Sequence, residues 1–346
     1  DGTYIGSGGG ERMRTLYIIG NGFDLANGVR SSYRDFREHL LSLGPEGVRM
    51  AVTLESYLGS SPDLWGDFEE SLGFLDRGMA MDSVDDAFDD HGDVRGCVER
   101  GLAGVTSIEE ELPRLFRSWL RTLRAEGPVW EPPVPLDPDG AYIDFNYTDL
   151  LESRYGIPRG NILYIHGSVA EGDGSIVMGH GSDPDRSYRE WVSSLRDDPS
   201  YRPYVRDADG EVSRNTRLSA QAYGEYPVRD GEWGCDSRRR AMEIALVGIE
   251  EYFGITAKRC REVIDRNRGF FDSLRDVGRV VVIGHSLSQV DMPYFREIIR
   301  CSGSPDDIMW EVCYRSRRAR AERFAEDLGL DPSRVRYVCT LPGDRE

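Results

Sequence analysis

The chain has 346 residues, and 43 Lys+Arg against 61 Asp+Glu give it a formal net charge of −18 at pH 7. Hydrophobic residues make up 39% of the chain, so a sizeable core can form and a disordered or fibrous protein is excluded. The acidity argues against general nucleic-acid binding, because phosphate affinity rests on clustered Lys and Arg. Lys258 is the single lysine among the cationic residues.

Short apolar runs that end in a polar or glycine signature recur along the chain and are typical of buried parallel strands. They occupy residues 16–19, 141–145, 162–165, 176–178 and 280–283. Two more runs, at 309–314 and 335–339, flank a charged helical stretch at 317–328. The alternation predicts an α/β fold with a Rossmann-like parallel sheet.

Two longer stretches, at about 50–138 and 183–277, show helical periodicity. We therefore predict a single α/β domain over residues 13–346 with two helical insertions. Residues 1–12 are glycine-rich and predict a tag-like or disordered leader. An acidic cluster at 82–93, around His91, predicts a solvated helix face rather than a metal site.

The cysteines and the hydropathy pattern indicate the compartment. Six cysteines include no CxxC pair and no zinc spacing, so we expect reduced thiols. No apolar run approaches the roughly 18 residues that a membrane span needs. We therefore expect a cytoplasmic protein that makes no membrane contact.

Polar side chains follow the predicted strand ends, where ligands bind to open parallel sheets. These side chains are Asn21, Asn146, His166, His180 and His285. Their shared placement predicts a ligand site at that edge. A metal held by His166, His180 and His285 is an alternative, but the carboxylate partners of an open hydrolytic metal site are not evident, and we predict no metal.

The motif Gly20-Asn21-Gly22-Phe23-Asp24 resembles a phosphate turn, in which glycines let backbone N–H groups approach an anion. It departs from the G-x-G-x-x-G dinucleotide fingerprint because Leu25 occupies the third glycine position.

The motif Gly284-His285-Ser286 looks like the nucleophile elbow of a serine hydrolase. Ser288 replaces the closing glycine, and His285 is the last histidine of the chain. The hydrolase order Ser, Asp, His is therefore excluded.

Several motifs recur in order from about residue 16 to residue 295. They are Gly20-Asn21-Gly22-Phe23-Asp24-Leu25, Tyr33 with Asp35-Phe36, Trp65 with Asp67-Phe68-Glu69, Phe145-Asn146-Tyr147-Thr148, His166-Gly167, and Gly284-His285-Ser286-Leu287 with Asp291. Together they resemble the AbiH family, bacterial proteins linked to abortive infection by bacteriophage. The segment around Lys258 also resembles a recurring element of that family.

A more distant resemblance is to SIR2-like domains, which bind and cleave NAD. Residues 146–152, 165–167 and 284–287 are similar to these domains in order and spacing. The resemblance implies a SIR2-like sheet, NAD as substrate or ligand, and Asn146 and His166 as the catalytic pair. Thr148 stands where SIR2-like domains usually carry Asp, and Asn21 replaces a small residue of their first turn.

The two resemblances together imply a nucleotide site. The implied binding residues are Gly20, Asn21, Gly22, Asp24, Thr148, Gly284, His285, Ser286 and Asp291, with Glu69, His180 and Lys258 as accessory positions. In glycosidic cleavage an asparagine would fix a ribose hydroxyl or water, while a histidine would take a proton.

We therefore predict an anti-phage protein that binds and hydrolyses NAD or a related small nucleotide, as an NAD glycohydrolase does. One alternative is a nucleotide-sensing module that signals through a partner without catalysis. Another is a metal-dependent nuclease, which the charge of −18 disfavours. The sequence leaves open the oligomeric state, a homo-oligomer included, and the phage trigger.

Overall fold

The computed structural model describes residues 14–59, 61–88, 93–171, 176–181, 204–206, 212–214 and 235–340. The predicted leader, residues 1–12, lies outside this range. The chain divides into two compact units. Unit 1 combines Asp1–Ser31, Thr122–Val177 and Arg259–Glu346, and unit 2 combines Ser32–Arg121 and Met178–Lys258.

Unit 1 is built on a six-stranded, all-parallel sheet. Its strands are β1 (Arg14–Ile19), β2 (Ala141–Asp144), β3 (Ile162–Tyr164), β4 (Val277–Ile283), β5 (Met309–Tyr314) and β6 (Val335–Cys339). The predicted α/β parallel sheet is confirmed. The prediction of a strand at 176–178 is wrong: these residues form no strand, and Val177 N–H donates a hydrogen bond to the carbonyl of His166 instead of joining a ladder.

The helices in chain order are α1 (Asn21–Ala26), α2 (Tyr33–Ser42), α3 (Pro45–Tyr57), α4 (Phe68–Ser71), α5 (Arg77–Asp86), α6 (Val94–Gly101), α7 (Ala103–Glu110), α8 (Leu112–Leu120), α9 (Leu150–Ser153), α10 (Cys235–Thr256), α11 (Cys260–Arg266), α12 (Arg268–Asp272), α13 (Met292–Cys301) and α14 (Arg318–Asp327). Helices α2–α8 and α10 belong to unit 2, and the others belong to unit 1. Within the described residues, no helix combines the length and apolar character needed to cross a bilayer.

The strand order is β3-β2-β1-β4-β5-β6, which is the order of the doubly wound Rossmann fold. The chain winds outward from β1 to β3 and then returns to β4 on the other side of β1. The winding therefore reverses between β1 and β4, where Ile19 pairs with Ile283. Ligands of such sheets bind beyond the carboxyl ends of the strands at this switch point.

The core of unit 1 lies between the sheet and its helices. The strands are near-continuous apolar runs because a parallel sheet is covered on both faces. Ile18 and Val282 from the sheet and Phe295 and Ile298 from α13 are at most 1% exposed and belong to one cluster. This packing fixes the strand ends and the loops that leave them.

Unit 2 is mainly helical. Helix α2 begins with a capping box in which Ser32 and Asp35 satisfy each other's backbone N–H groups. Phe36 of α2 packs edge-to-face against Phe116 of α8, with ring centroids 5.3 Å apart. Two short antiparallel strands, Tyr204–Arg206 and Val212–Arg214, also belong to this unit.

Two residues of the acidic cluster in unit 2 make specific contacts. Asp85 is buried and pairs with Arg238 at 2.5 Å, and Asp93 caps α6 by accepting from the N–H groups of Arg95 and Gly96. His91 lies outside the described residues.

Candidate functional site

Two glycine loops meet at the switch point of unit 1. Gly22, in the first turn of α1 just after β1, donates its N–H to the carbonyl of Gly284, which directly follows β4, over 2.7 Å. A Cβ on Gly20 would lie 2.5 Å from the Cα of His285. Gly284 has a φ of +68°, and a Cβ there would lie 2.4 Å from the nitrogen of Phe23. Only glycine permits this close backbone approach.

The turn after β1 uses its backbone donors within the protein. The N–H groups of Gly20, Gly22 and Phe23 donate to Ile283, Gly284 and Gly20 carbonyls, respectively, over 2.7–2.9 Å. The Asn21 side chain is also engaged: its amide donates to the carbonyl of Ser31 over 2.9 Å and accepts from the Ser31 hydroxyl over 2.5 Å. These contacts shape the turn, and they leave those three amides unable to serve as anion donors.

Asp24 is the centre of a buried hydrogen-bond network beneath this turn. One carboxylate oxygen accepts from the Asn146 amide over 2.9 Å, and the other accepts from the Thr148 hydroxyl over 2.8 Å. Burial raises the pKa of Asp24 to about 7, against the lowering effect of the Thr148 hydrogen bond. Burial, and secondarily the nearby Asp24, raises the pKa of Asp144 well above its ordinary value.

Asn146, the predicted catalytic amide, is 3% exposed. Its Nδ2 donates both to Asp24 and, over 3.2 Å, to the carbonyl of Gly20. Its backbone N–H donates to Asp144 Oδ1 over 2.9 Å. Both amide hydrogens are therefore engaged, and Oδ1 is the atom left to meet a ligand.

A second cluster joins three predicted site residues. Asp291 Oδ1 lies 3.6 Å from Nε2 of His166, and its Oδ2 lies 3.5 Å from Nε2 of His285. The Phe145 ring contacts both imidazoles edge-to-face, with centroids 5.1 Å from His166 and 4.4 Å from His285. One buried carboxylate thus faces two histidines brought together from the ends of β3 and β4.

The orientation of His285 follows from its backbone contact. Nδ1 of His285 accepts from the N–H of Leu287 over 2.8 Å. A nitrogen that accepts carries no proton, so in the neutral ring the proton is on Nε2, which faces Asp291. Leu287 itself has a φ of 56°, a left-handed conformation that this hydrogen bond helps to hold.

A cavity of about 460 Å³ opens at the carboxyl edge of the sheet in unit 1. Gly22, Gly284, His285 and Ser286 line it. Its volume falls within the range of small-ligand pockets. The pocket has the size of a small-ligand site and has His285 in its wall, whereas Asn146 and His166 are not among its lining residues.

Three lining residues from the segment after β5 were not predicted as site residues, namely Arg315, Arg317 and Arg320. A signal for them was present, because they follow a predicted strand end.

The three accessory positions lie in unit 2. Lys258 Nζ contacts Glu69 Oε2 at 2.5 Å, and the Lys258 side chain is 0% exposed. The backbone of His180 is bonded on both sides, since its N–H donates to Thr256 and its carbonyl accepts from Lys258. Burial lowers the pKa of His180 to about 4, so its imidazole is neutral at physiological pH. Within the part of the chain that the structure describes, no group of three or more His, Cys, Asp or Glu residues is arranged to hold a metal ion.

Unit 1 thus defines a Rossmann-type α/β protein with a pocket at the switch point and a buried His–Asp–His cluster beside it. The family model described as "Bacteriophage abortive infection AbiH" matches residues 16–314, most of the chain. The chain therefore belongs to the AbiH family, and its role is in bacteriophage abortive infection. No curated protein and no solved structure is detectably similar to it.

Proposed function

We propose that this AbiH protein binds NAD or a related nucleotide in the switch-point pocket of unit 1 and hydrolyses its glycosidic bond during abortive infection. The observation that carries the proposal is the placement of His285 in the pocket wall, backed by Asp291 and His166. Rossmann-type sheets bind nucleotides at this position, and paired His and carboxylate groups perform acid–base chemistry.

The reaction needs a water that attacks the ribose carbon as the bond to nicotinamide breaks, and a base that takes the proton of that water. His166 suits the base because its Nε2 makes no hydrogen bond within the described residues, and Asp291 stabilises the imidazolium that forms. The Asn146 Oδ1 would orient the water or a ribose hydroxyl. His166 is 3% exposed, so the reaction requires ligand binding to expose its ring.

The test is to incubate the purified full chain with NAD and follow free nicotinamide. We expect release by the parent chain and a loss of about 10²–10⁴-fold in His166→Gln, the range that acid–base groups contribute. Asn146→Ala should lose release as well. Asn161→Ala is the matched control, because Asn161 bonds to the carbonyl of Pro138 outside both clusters. Unchanged release in His166→Gln would refute the catalytic role.

A second candidate, the nucleotide sensor, is favoured by one observation: both amide hydrogens of Asn146 are engaged and His166 is buried. A sensor would bind NAD with no turnover, including in the presence of phage lysate. Calorimetric binding without nicotinamide release would establish this alternative, and turnover by the parent chain would exclude it.

A further inference from the structure

The segment after β5 gives the pocket a positive lining. Arg315, Arg317 and Arg320, the arginine loop, all line the cavity, and no Asp or Glu is among its lining residues in the part of the chain that is described. This is unusual for a chain with 61 acidic residues and a net charge of −18. The pocket therefore has a local charge opposite to that of the whole protein, which favours an anionic ligand.

Two of these cations have no counter-charge among the residues that the structure describes. Neighbouring arginines are paired: Arg318 contacts Glu322 at 3.0 Å, and Arg279 contacts Glu311 at 2.7 Å. Arg315 and Arg317 form no ion pair with any residue that the structure describes. Their guanidinium groups can therefore engage a ligand without first breaking an internal pair.

The glycine turn does not supply the phosphate donors that its sequence suggests. The N–H groups of Gly20, Gly22 and Phe23 already donate to backbone carbonyls. An anion near this turn would have to break the contact between Gly22 and Gly284, the contact that joins the two glycine loops. These three N–H groups are therefore not available to a phosphate, whereas the arginines in the pocket wall carry donors of their own.

We propose that the arginine loop, rather than the glycine turn, binds the phosphate groups of the ligand, and that the ligand is a nucleotide with a diphosphate. One guanidinium group can bind two oxygens of a phosphate through two parallel hydrogen bonds, so several guanidinium groups together can hold both phosphates. The glycine turn then shapes the pocket without donating to the anion. This inference rests on the nucleotide pocket proposed above, but it does not require that the glycosidic bond be cleaved.

The experiment measures binding of three probes to the full chain by calorimetry: ADP, inorganic pyrophosphate and adenosine. We expect ADP and pyrophosphate to bind, and adenosine to bind at least tenfold more weakly than ADP. Arg315→Gln and Arg317→Gln should each weaken ADP binding about tenfold, since a hydrogen bond to a charged group has this order of effect. Arg318→Gln, an exposed and internally paired neighbour, is the matched control and should change nothing.

The outcomes separate this inference from the catalytic proposal. ADP affinity that is unchanged in both arginine variants, or a parent chain that binds neither ADP nor pyrophosphate, would overturn the inference. Nicotinamide release with an unaltered KM in those variants would overturn it too, while leaving the hydrolase proposal intact. ADP binding that depends on Arg315 and Arg317, with no nicotinamide release, would support the inference and remove the hydrolase.

Discussion

Asp24→Asn tests the buried carboxylate network of unit 1. Asp24 is 1% exposed and accepts from Asn146 and Thr148. Asparagine has the same shape as the carboxylate and carries no charge. Its carbonyl can accept from the Asn146 amide, and its NH₂ can donate to the Thr148 hydroxyl, which can reverse its role. The substitution therefore removes the buried charge and keeps the hydrogen bonds.

The size of the expected stability change follows from the pKa of Asp24, which burial raises from an ordinary 3.8 to about 7. The folded chain binds more protons than the unfolded chain between these values, so its stability falls as pH rises through that window. At about 1.4 kcal/mol per pH unit, the free energy of unfolding of the parent chain falls by about 4 kcal/mol by pH 7. This is an upper bound, because the buried Asp144 titrates together with Asp24.

The assay is chemical unfolding of the parent and Asp24→Asn chains from pH 4 to pH 8, followed by circular dichroism. The variant should match the parent near pH 4 and become more stable as pH rises, by up to about 4 kcal/mol at pH 8. Asp149→Asn is the control, since it removes an exposed charge near Asp24 and leaves the buried carboxylate in place. A stability difference that does not change with pH would refute the reasoning.

Two further substitutions test packing in the two units. Lys258→Met leaves Glu69 without the charge it pairs with and should lower the free energy of unfolding by about 3–5 kcal/mol in chemical denaturation. The double variant Lys258→Met/Glu69→Leu should recover most of that loss, because it leaves no unpaired charge behind. An absence of recovery would contradict the pairing. Gly284→Ala should lower the melting temperature far more than Gly329→Ala. Both glycines have a φ near +68°, but only a Cβ at Gly284 would meet the backbone, where it would lie 2.4 Å from the nitrogen of Phe23. Equal losses of melting temperature in the two variants would show that this contact is unimportant.

The sheet was predictable from the sequence because buried parallel strands are continuous apolar runs that stop at glycine. The predicted ends of β1, β4, β5 and β6 agree with the structure. The run at 176–178 failed because the N–H of Val177 donates to His166 and its carbonyl accepts from the Tyr147 hydroxyl, so neither group pairs with a strand. Apolar composition shows that a segment is buried, but it does not show whether a neighbouring strand is free to pair with it.

The hydrogen bonds of the candidate site were not predictable from the sequence. The sequence places Gly284 and His285 directly after a strand end, and the structure brings both to one pocket with Gly22, which lies in the first turn of α1. The sequence could not show that the Asn146 amide donates to Asp24, because a side-chain amide binds a ligand or a neighbour equally well. Only the three-dimensional arrangement decides which donors remain available.

The hydrogen bond between His285 and Leu287 links the protonation state of His285 to the conformation of the loop after β4. Nδ1 of His285 accepts from the Leu287 N–H only while that nitrogen is unprotonated. A doubly protonated ring would therefore release the backbone at the residue that holds a φ of 56°. This hydrogen bond would be lost whenever His285 gained a second proton, so the contact that helps to hold the loop after β4 depends on the protonation state of one imidazole.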